Sequence, residues 1–230
     1  MTSGATPGTA NEQPRTAMIL AAGRGERLRP LTDHIPKPLL SVRGKPLIEH
    51  HVERLAHAGV ERIVINLAWL GSMIRDYLGD GSRYGVTLTY SDEAPRALET
   101  AGGIFRALPN LGAGAFLVVN GDIFTDFPFR QAALARDRDA HLILVPNPPQ
   151  HPGGDFGMAQ GLALPSAAVQ YTFAGIAVYR RQFFANCVDG VFPLKPLLLR
   201  SMAARRCSAQ LYAGVWEDVG TAERLQALNA

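Results

Sequence analysis

Two glycines, four cations and two distant aspartates are the residues whose types and spacing could handle phosphate. Gly23 and Gly25 follow an apolar run at residues 17–22, within the stretch LAAGRGERLRPLTDHIPKP that begins at Leu20. Glycine directly after a strand lets backbone N–H groups come close to an anion without a side chain between them. Arg24, Arg27, Arg29 and Lys37 supply positive charge around that turn. Pro36 and Pro38 flank Lys37, and fixed φ angles on both sides predict a stiff, extended backbone for the lysine. The chemistry is a polyphosphate cradle, shaped by glycine and neutralised by cations. The plainer alternative is a strand-to-helix connection with solvated arginines.

Neither standard phosphate loop is present. A Walker loop needs four residues between its glycines and then Gly-Lys-Ser/Thr, whereas one residue separates Gly23 from Gly25 and Glu26 follows. A dinucleotide fingerprint needs a third glycine where Leu28 stands and an acid ending the next strand, which here ends in Asn66. Two acids stand at other junctions. Asp122 follows the apolar run that ends at Asn120, and Asp218 lies in Trp216-Glu217-Asp218-Val219-Gly220-Thr221. Each could cap a following helix. As a pair they could instead hold Mg²⁺, which takes one or two carboxylates together with substrate phosphates and water.

The elements that must position these groups are short and regular. Apolar runs at 17–22, 62–66, 86–90, 115–120 and 141–145 read as strands, with helical segments between the early ones. That alternation predicts an α/β fold with a parallel sheet. Residues 47–57 form the clearest helix, with Leu47, Ile48, Val52, Leu55 and Ala56 on one face and Gly59 at its stop. Its histidines, His50, His51 and His57, read as surface or packing residues. Prolines and glycines between 146 and 154 mark a loop. A strand at 173–179, a helix at 193–205, a strand at 209–213 and a closing helix at 221–228 follow. In doubly wound sheets ligands sit at the carboxyl ends of strands, where Gly23, Asn120 and the loop after Tyr90 converge.

Composition narrows the class. With 230 residues, 47% hydrophobic and 19% charged, the chain suits one sizeable domain over 16–230, and residues 1–15 read as a flexible tail. No run approaches the length of a membrane span, and no secretory signal is visible. Two cysteines, Cys187 and Cys207, make neither a disulfide framework nor a metal site, so reducing cytoplasm is the expected compartment. A net charge of +3 without a basic run argues against nucleic acid and for phosphate on small substrates.

The glycine turn, its arginine, Pro36-Lys37-Pro38 and Gly44-Lys45-Pro46 recur in an order and spacing that resembles the sugar-phosphate nucleotidyltransferases. The similarity runs from about Thr16 to about Leu228. It implies a Rossmann-like, doubly wound, mixed but mainly parallel α/β sheet of the GT-A-like nucleotidyltransferase kind. It also implies coupling of an NTP to a sugar 1-phosphate with release of pyrophosphate. The family's Gly-Asp and Trp-x-Asp-[IV]-Gly-Thr motifs bind its metal, which assigns Asp122 and Asp218 to Mg²⁺. Leu20, Ala21, Ala22, Gly23 and Gly25 would then hold the nucleotide, Arg27 its outer phosphates and Lys37 the reacting ones.

Tyr90-Ser91-Asp92-Glu93 and Leu98-Glu99-Thr100-Ala101-Gly102 are similar to the family's base-binding segments, implicating Glu93 and Gly102. A tight helix entry would explain the Gly102-Gly103 pair equally well. Asn120, Gly157, Phe173 and Gly175 match the sugar side. The longer bacterial members carry Glu-Lys-Pro between their sugar-facing strands, where this chain has Leu164-Pro165-Ser166-Ala167-Ala168. The sugar phosphate therefore needs another cation, for which Lys195 is a candidate. Length and detail most resemble the short bacterial members that uridylylate N-acetylmuramic acid 1-phosphate in cell-wall recycling, making UTP the favoured nucleotide. Mannose 1-phosphate guanylyltransferase and glucose 1-phosphate uridylyl- or thymidylyltransferase are the alternatives, as is a non-catalytic nucleotide-sugar-binding regulatory domain. The expected protein acts without nucleic acid or membrane, as a monomer or weak homo-oligomer.

Overall fold

The apolar run before the glycine turn forms β1 (Thr16–Leu20), a central strand whose alternate residues enter two separate cores. Ala17 and Ile19 face one side and Met18 the other, all fully buried, as expected of a strand covered on both faces. The computed structural model describes residues 11–93 and 97–230. After β1 come a short hairpin, β2 (Ser41–Val42) and β3 (Lys45–Pro46), and helix α1 (Leu47–His57). Next are β4 (Arg62–Leu67), α2 (Gly71–Leu78), β5 (Thr87–Asp92), α3 (Glu99–Leu111), β6 (Phe116–Asn120) and β7 (Ile123–Thr125). The second half holds β8 (Ala140–Val145), β9 (Phe156–Ala159), β10 (Leu162–Leu164) and β11 (Gln170–Tyr179). It ends with α4 (Lys195–Ala203), β12 (Cys207–Leu211), β13 (Trp216–Asp218) and α5 (Ala222–Asn229).

Nine strands make the main sheet in the order β5-β4-β1-β6-β11-β8-β12-β10-β9. Helices α1 and α2 cover one face, and α3 and α4 cover the other. The sheet is parallel from β5 through β6, where strand and helix alternate. Beyond β6 it is mixed: β11 runs antiparallel to β6 and β8, and only β8 and β12 pair in parallel. The parallel pattern read from the early strands therefore describes the first half. In the second half, short connections such as the one between β9 and β10 force antiparallel pairing.

Two small features complete the frame. Strands β7 and β13 form their own antiparallel ribbon, with Asp218 opposite Ile123. Helix α5 packs Leu225 and Leu228 against Val42, Leu47, Phe124 and Val219, fixing the chain end beside that ribbon. At the other terminus, the loose tail expected over residues 1–15 does not describe Glu12. It pairs with Leu134 through the backbone, accepts the Ala115 N–H at 2.8 Å and binds Arg180. The Ala115 hydrogen bond, with help from Arg180, holds its carboxyl below the usual range. Residues 1–10 lie outside those described.

Candidate active site

The glycine turn leaves the end of β1 and opens a cleft of about 460 Å³ lined by Leu20, Ala21, Ala22, Gly23, Gly25 and their neighbours. Gly25 needs its residue type: φ is +69°, and a Cβ there would lie 3.0 Å from Thr32 and 3.1 Å from the Lys37 stem. A Cβ at Gly23 would meet nothing within 4 Å, so its backbone borders open space. The four cations around the turn divide into two pairs. Arg24 turns away, donating to Thr32 O at 2.7 Å and Asp33 Oδ1 at 2.6 Å while stacking over Trp69. Arg29 also binds Asp33, at 2.9 Å. Arg27 and Lys37 line the cleft. The expectation of four cations around one anion thus reduces to two, because Asp33 neutralises the others.

Lys37 is not extended between its prolines as expected. Pro36 is extended, but residues Lys37–Leu39 form a 3₁₀ turn closed by Leu39 N–H to Pro36 O (2.8 Å) and Leu40 N–H to Lys37 O (3.1 Å). The turn buries the lysine to 7% exposure and carries Nζ to 2.7 Å from Asp122 Oδ2. Asp122 caps no helix, since the chain runs from Gly121-Asp122 into β7. Asp218 caps none either: Thr221 is the N-cap of α5 and accepts the Arg224 N–H. The β7–β13 register and a 2.9 Å bond from Val219 N–H to Asp122 O bring the two acids together, ninety-six positions apart in the chain.

Each aspartate has a cation on Oδ2, Lys37 on Asp122 and Arg224 on Asp218, both at 2.7 Å. Each Oδ1 stays outside those pairs, so two hard oxygen donors are to spare. That donor set fits Mg²⁺. Among the described residues no cluster of three or more metal-ligating side chains forms, so phosphate and water would supply the other ligands. Arg224 was not foreseen. A methyl group on Gly220 would come within 2.6 Å of Arg224 Nη2 and 2.9 Å of Arg27 Nη2, so the two guanidinium groups converge. Its only sequence signal is a position three residues after the cap Thr221. Beneath this ribbon, burial holds the fully enclosed His51 of α1 down to about 4, a neutral packing ring as expected.

A chain of buried hydrogen bonds crosses the floor of the cleft. Ala21 N–H donates to Asn66 Oδ1 (2.7 Å), Asn66 Nδ2 to Glu93 Oε1 (2.6 Å), and Leu98 N–H to Glu93 Oε2 (2.7 Å). Glu93 borders the cleft, yet both its oxygens already brace the wall. Asn66, noted in the sequence only as a missing acid, is the middle link. Gly102 is not brought to the cleft: a Cβ on it would sit 2.3 Å from the Gly190 carbonyl. At Gly103 it would sit 2.3 Å from Glu93 Oε1. The glycine pair is therefore required for close packing on both sides of α3, which is the helix-entry alternative rather than a bed for a base.

Arg27, Asn120 and Asp122 also border a second cleft of about 260 Å³, next to the first. Its walls include Phe173, Gly175, Trp216 and Asp218. A bulge in β11 between Phe173 and Ala177 holds Gly175 at φ +72°, where a Cβ would strike the Asn120 side chain at 2.6 Å. Gly157 does not reach this cleft, because the space a Cβ would take is filled by Ala167 at 2.4 Å. Lys195 does not reach it either and is exposed at the start of α4. Two clefts joined at Arg27 and Asp122 can hold two phosphate-bearing reactants with their anionic ends together.

Comparison with known proteins gives the same outline. The nucleotidyl transferase family matches residues 16–163. The chain is similar to an N-acetylmuramate alpha-1-phosphate uridylyltransferase of Neisseria meningitidis, 51% identical across 93% of this chain and 96% of the relative. A protein of the same name from Caulobacter vibrioides is 34% identical, covering 96% of this chain and 98% of the relative. Among solved structures, a putative glucose-1-phosphate thymidylyltransferase from Bacillus anthracis superposes with a TM-score of 0.82 at 22% identity over 93% of each chain. The inositol-1-phosphate CTP transferase of T. maritima follows at 0.78 and 17%, over 95% of this chain and 98% of that one. These two share the fold.

Proposed function

The chain belongs to the nucleotidyl transferase family, and from that premise we propose that it transfers uridylyl from UTP to N-acetylmuramic acid 1-phosphate, forming UDP-N-acetylmuramic acid and pyrophosphate. One observation carries the chemistry: Lys37, Asp122 and Asp218 converge where the glycine-turn cleft meets its neighbour. The substrate pair follows the two relatives that match this chain along nearly its whole length.

A sugar 1-phosphate is already an anionic nucleophile, so no strong general base is needed. Its phosphate oxygen attacks the α-phosphorus of UTP, the new P–O bond forms, and the bond to the β-bridging oxygen breaks with its electron pair leaving on pyrophosphate. The protein must suppress repulsion between anions and hold them in line. Backbone amides from Ala22 to Gly25 hold the triphosphate, and Arg27 neutralises its outer phosphates. Lys37 Nζ has three donors; one engages Asp122 and the others serve the reacting phosphates. Asp122 and Asp218 would hold Mg²⁺, which when bound would supply Lewis-acid stabilisation of the phosphate oxygens. The Asn66–Glu93 chain keeps the glycine turn and the start of α3 at a fixed separation while the base lies between them.

Residues 16–230 act as one domain in this scheme. Among the described residues no helix is long and apolar enough to cross a membrane, and a UTP-consuming reaction belongs in the cytoplasm. The test is pyrophosphate release from a matrix of NTPs and sugar 1-phosphates with Mg²⁺. UTP with N-acetylmuramic acid 1-phosphate is expected to give the highest kcat/KM and to need the metal. Fast turnover confined to GTP with mannose 1-phosphate sinks the substrate assignment.

A further inference from the structure

The second cleft presents two groups able to carry positive charge among the described residues, Arg27 and His151, and they stand at different places in it. Arg27 also borders the glycine-turn cleft, so it lies at the end where the two reactants meet. His151 borders only the second cleft, together with Pro148 and Gln150. N-acetylmuramic acid 1-phosphate likewise carries two anions, the 1-phosphate and the carboxylate of its 3-O-lactyl group, at separate positions on one sugar ring. In-line attack requires the phosphate at the shared end, which leaves the carboxylate for the far wall.

That wall is built rather than loose. Asn147 Nδ2 donates to Pro152 O and to Gln170 O, both at 3.0 Å, and Thr172 Oγ1 donates to Asn147 Oδ1 at 2.9 Å. His151 N–H closes onto Pro148 O at 2.9 Å. Asp155 accepts the Phe173 N–H on Oδ2 at 2.8 Å, and its Oδ1 lies 3.2 Å from His151 Nε2. The carboxylate thus stands at ion-pair distance from a buried Nε2 with which it makes no aligned hydrogen bond, and Nδ1 stays outside that pair. A ring carrying both protons donates from both nitrogens, so Nδ1–H can meet an oxygen anion. Phe173 and Trp216 give the sugar apolar surface beside it, and Trp216 is held by its Nε1–H to Ala174 O at 2.9 Å.

We propose that His151, standing beside Asp155 in the wall of the second cleft, recognises the lactyl carboxylate and so selects the acidic sugar over its neutral parent. The proposal rests on the muramic acid assignment above. The two products that differ by the lactyl group, UDP-N-acetylmuramic acid and UDP-N-acetylglucosamine, are titrated calorimetrically into wild type, His151→Ala and His151→Gln. Wild type is expected to prefer the acidic ligand, and both variants to lose about tenfold of that preference while keeping their circular dichroism. His151→Arg is expected to regain part of it. A wild-type preference that neither Ala nor Gln changes overturns the role of His151. Equal weakening of both ligands makes the residue merely structural and overturns it too. Absence of any wild-type preference removes the substrate assignment itself, a separate result.

Discussion

Lys37 and Asp122 are bound to each other at 2.7 Å with the lysine buried and the aspartate half-exposed, an arrangement that readies both for a highly charged ligand. The lysine cannot swing into solvent, and the aspartate keeps one oxygen open toward the cleft. In the proposed mechanism Asp122→Asn removes a charge that would hold Mg²⁺, and Lys37→Ala removes the cation that would face the reacting phosphates. Each is expected to lower kcat on the order of 100-fold with unchanged circular dichroism; near-normal turnover in either purified variant takes that residue out of the mechanism. His51 acts on stability instead. Burial keeps its ring neutral down to about 4 in the fold, against an ordinary histidine value of 6.5. Between those values the unfolded chain binds a proton that the folded chain refuses, so stability present above pH 6.5 is lost as pH falls toward 4, by about 3 kcal/mol. Urea midpoints at pH 7.5 and 5 are expected to differ less in His51→Leu than in wild type; an equal acid loss in both contradicts the burial argument. Which side chains face the clefts was only partly legible. Gly23, Gly25, Lys37 and both aspartates announced themselves by local pattern. Arg24 did not reveal that Asp33 would claim it, nor Arg224 that it would reach Asp218, because side-chain direction depends on partners distant in sequence or on the path of a turn.

At the scale of elements, the site is a set of strand ends tied together by side chains. β1 ends in the glycine turn, β4 ends beside Asn66, β5 leads to Glu93 and β6 leads to Asp122. Asn66 links the first three through bonds of 2.7 and 2.6 Å. Asn66→Ala leaves the Ala21 N–H and one Glu93 oxygen without partners in a buried place, which costs about 2 kcal/mol or more. The variant is expected to raise KM for the nucleotide several-fold and leave KM for the sugar phosphate nearly unchanged. A change confined to the sugar phosphate contradicts the bracing role. The strands themselves were readable, since apolar runs of five or six residues with helices between them leave few alternatives. The 3₁₀ turn at Lys37 was not, because proline sterics favour the extended form and two backbone hydrogen bonds outweigh them. The antiparallel second half was also hidden: strand direction depends on which neighbour a strand finds, not on its own sequence.

For the whole molecule, the consequence of the topology is that the glycine turn after β1 and Asp218 at the end of β13 are brought to adjoining clefts. The parallel half carries the cradle, as the ends of β1 and β6 lie side by side with Leu20 opposite Asn120. The antiparallel half adds the bulged β11 and the second cleft, and the β7–β13 ribbon closes the junction with Asp218. The two clefts therefore meet at Arg27, Asn120 and Asp122, where the proposed mechanism puts the sugar phosphate against the α-phosphorus of the nucleotide. Membership of the nucleotidyl transferase family calls for transfer of the nucleotidyl group rather than of the terminal phosphoryl group, and labelled UTP separates them. With N-acetylmuramic acid 1-phosphate and Mg²⁺, label in the α-phosphate is expected to appear in the nucleotide sugar and label in the γ-phosphate in pyrophosphate. Recovery of the γ label on the sugar, or release of inorganic phosphate in place of pyrophosphate, would contradict the account.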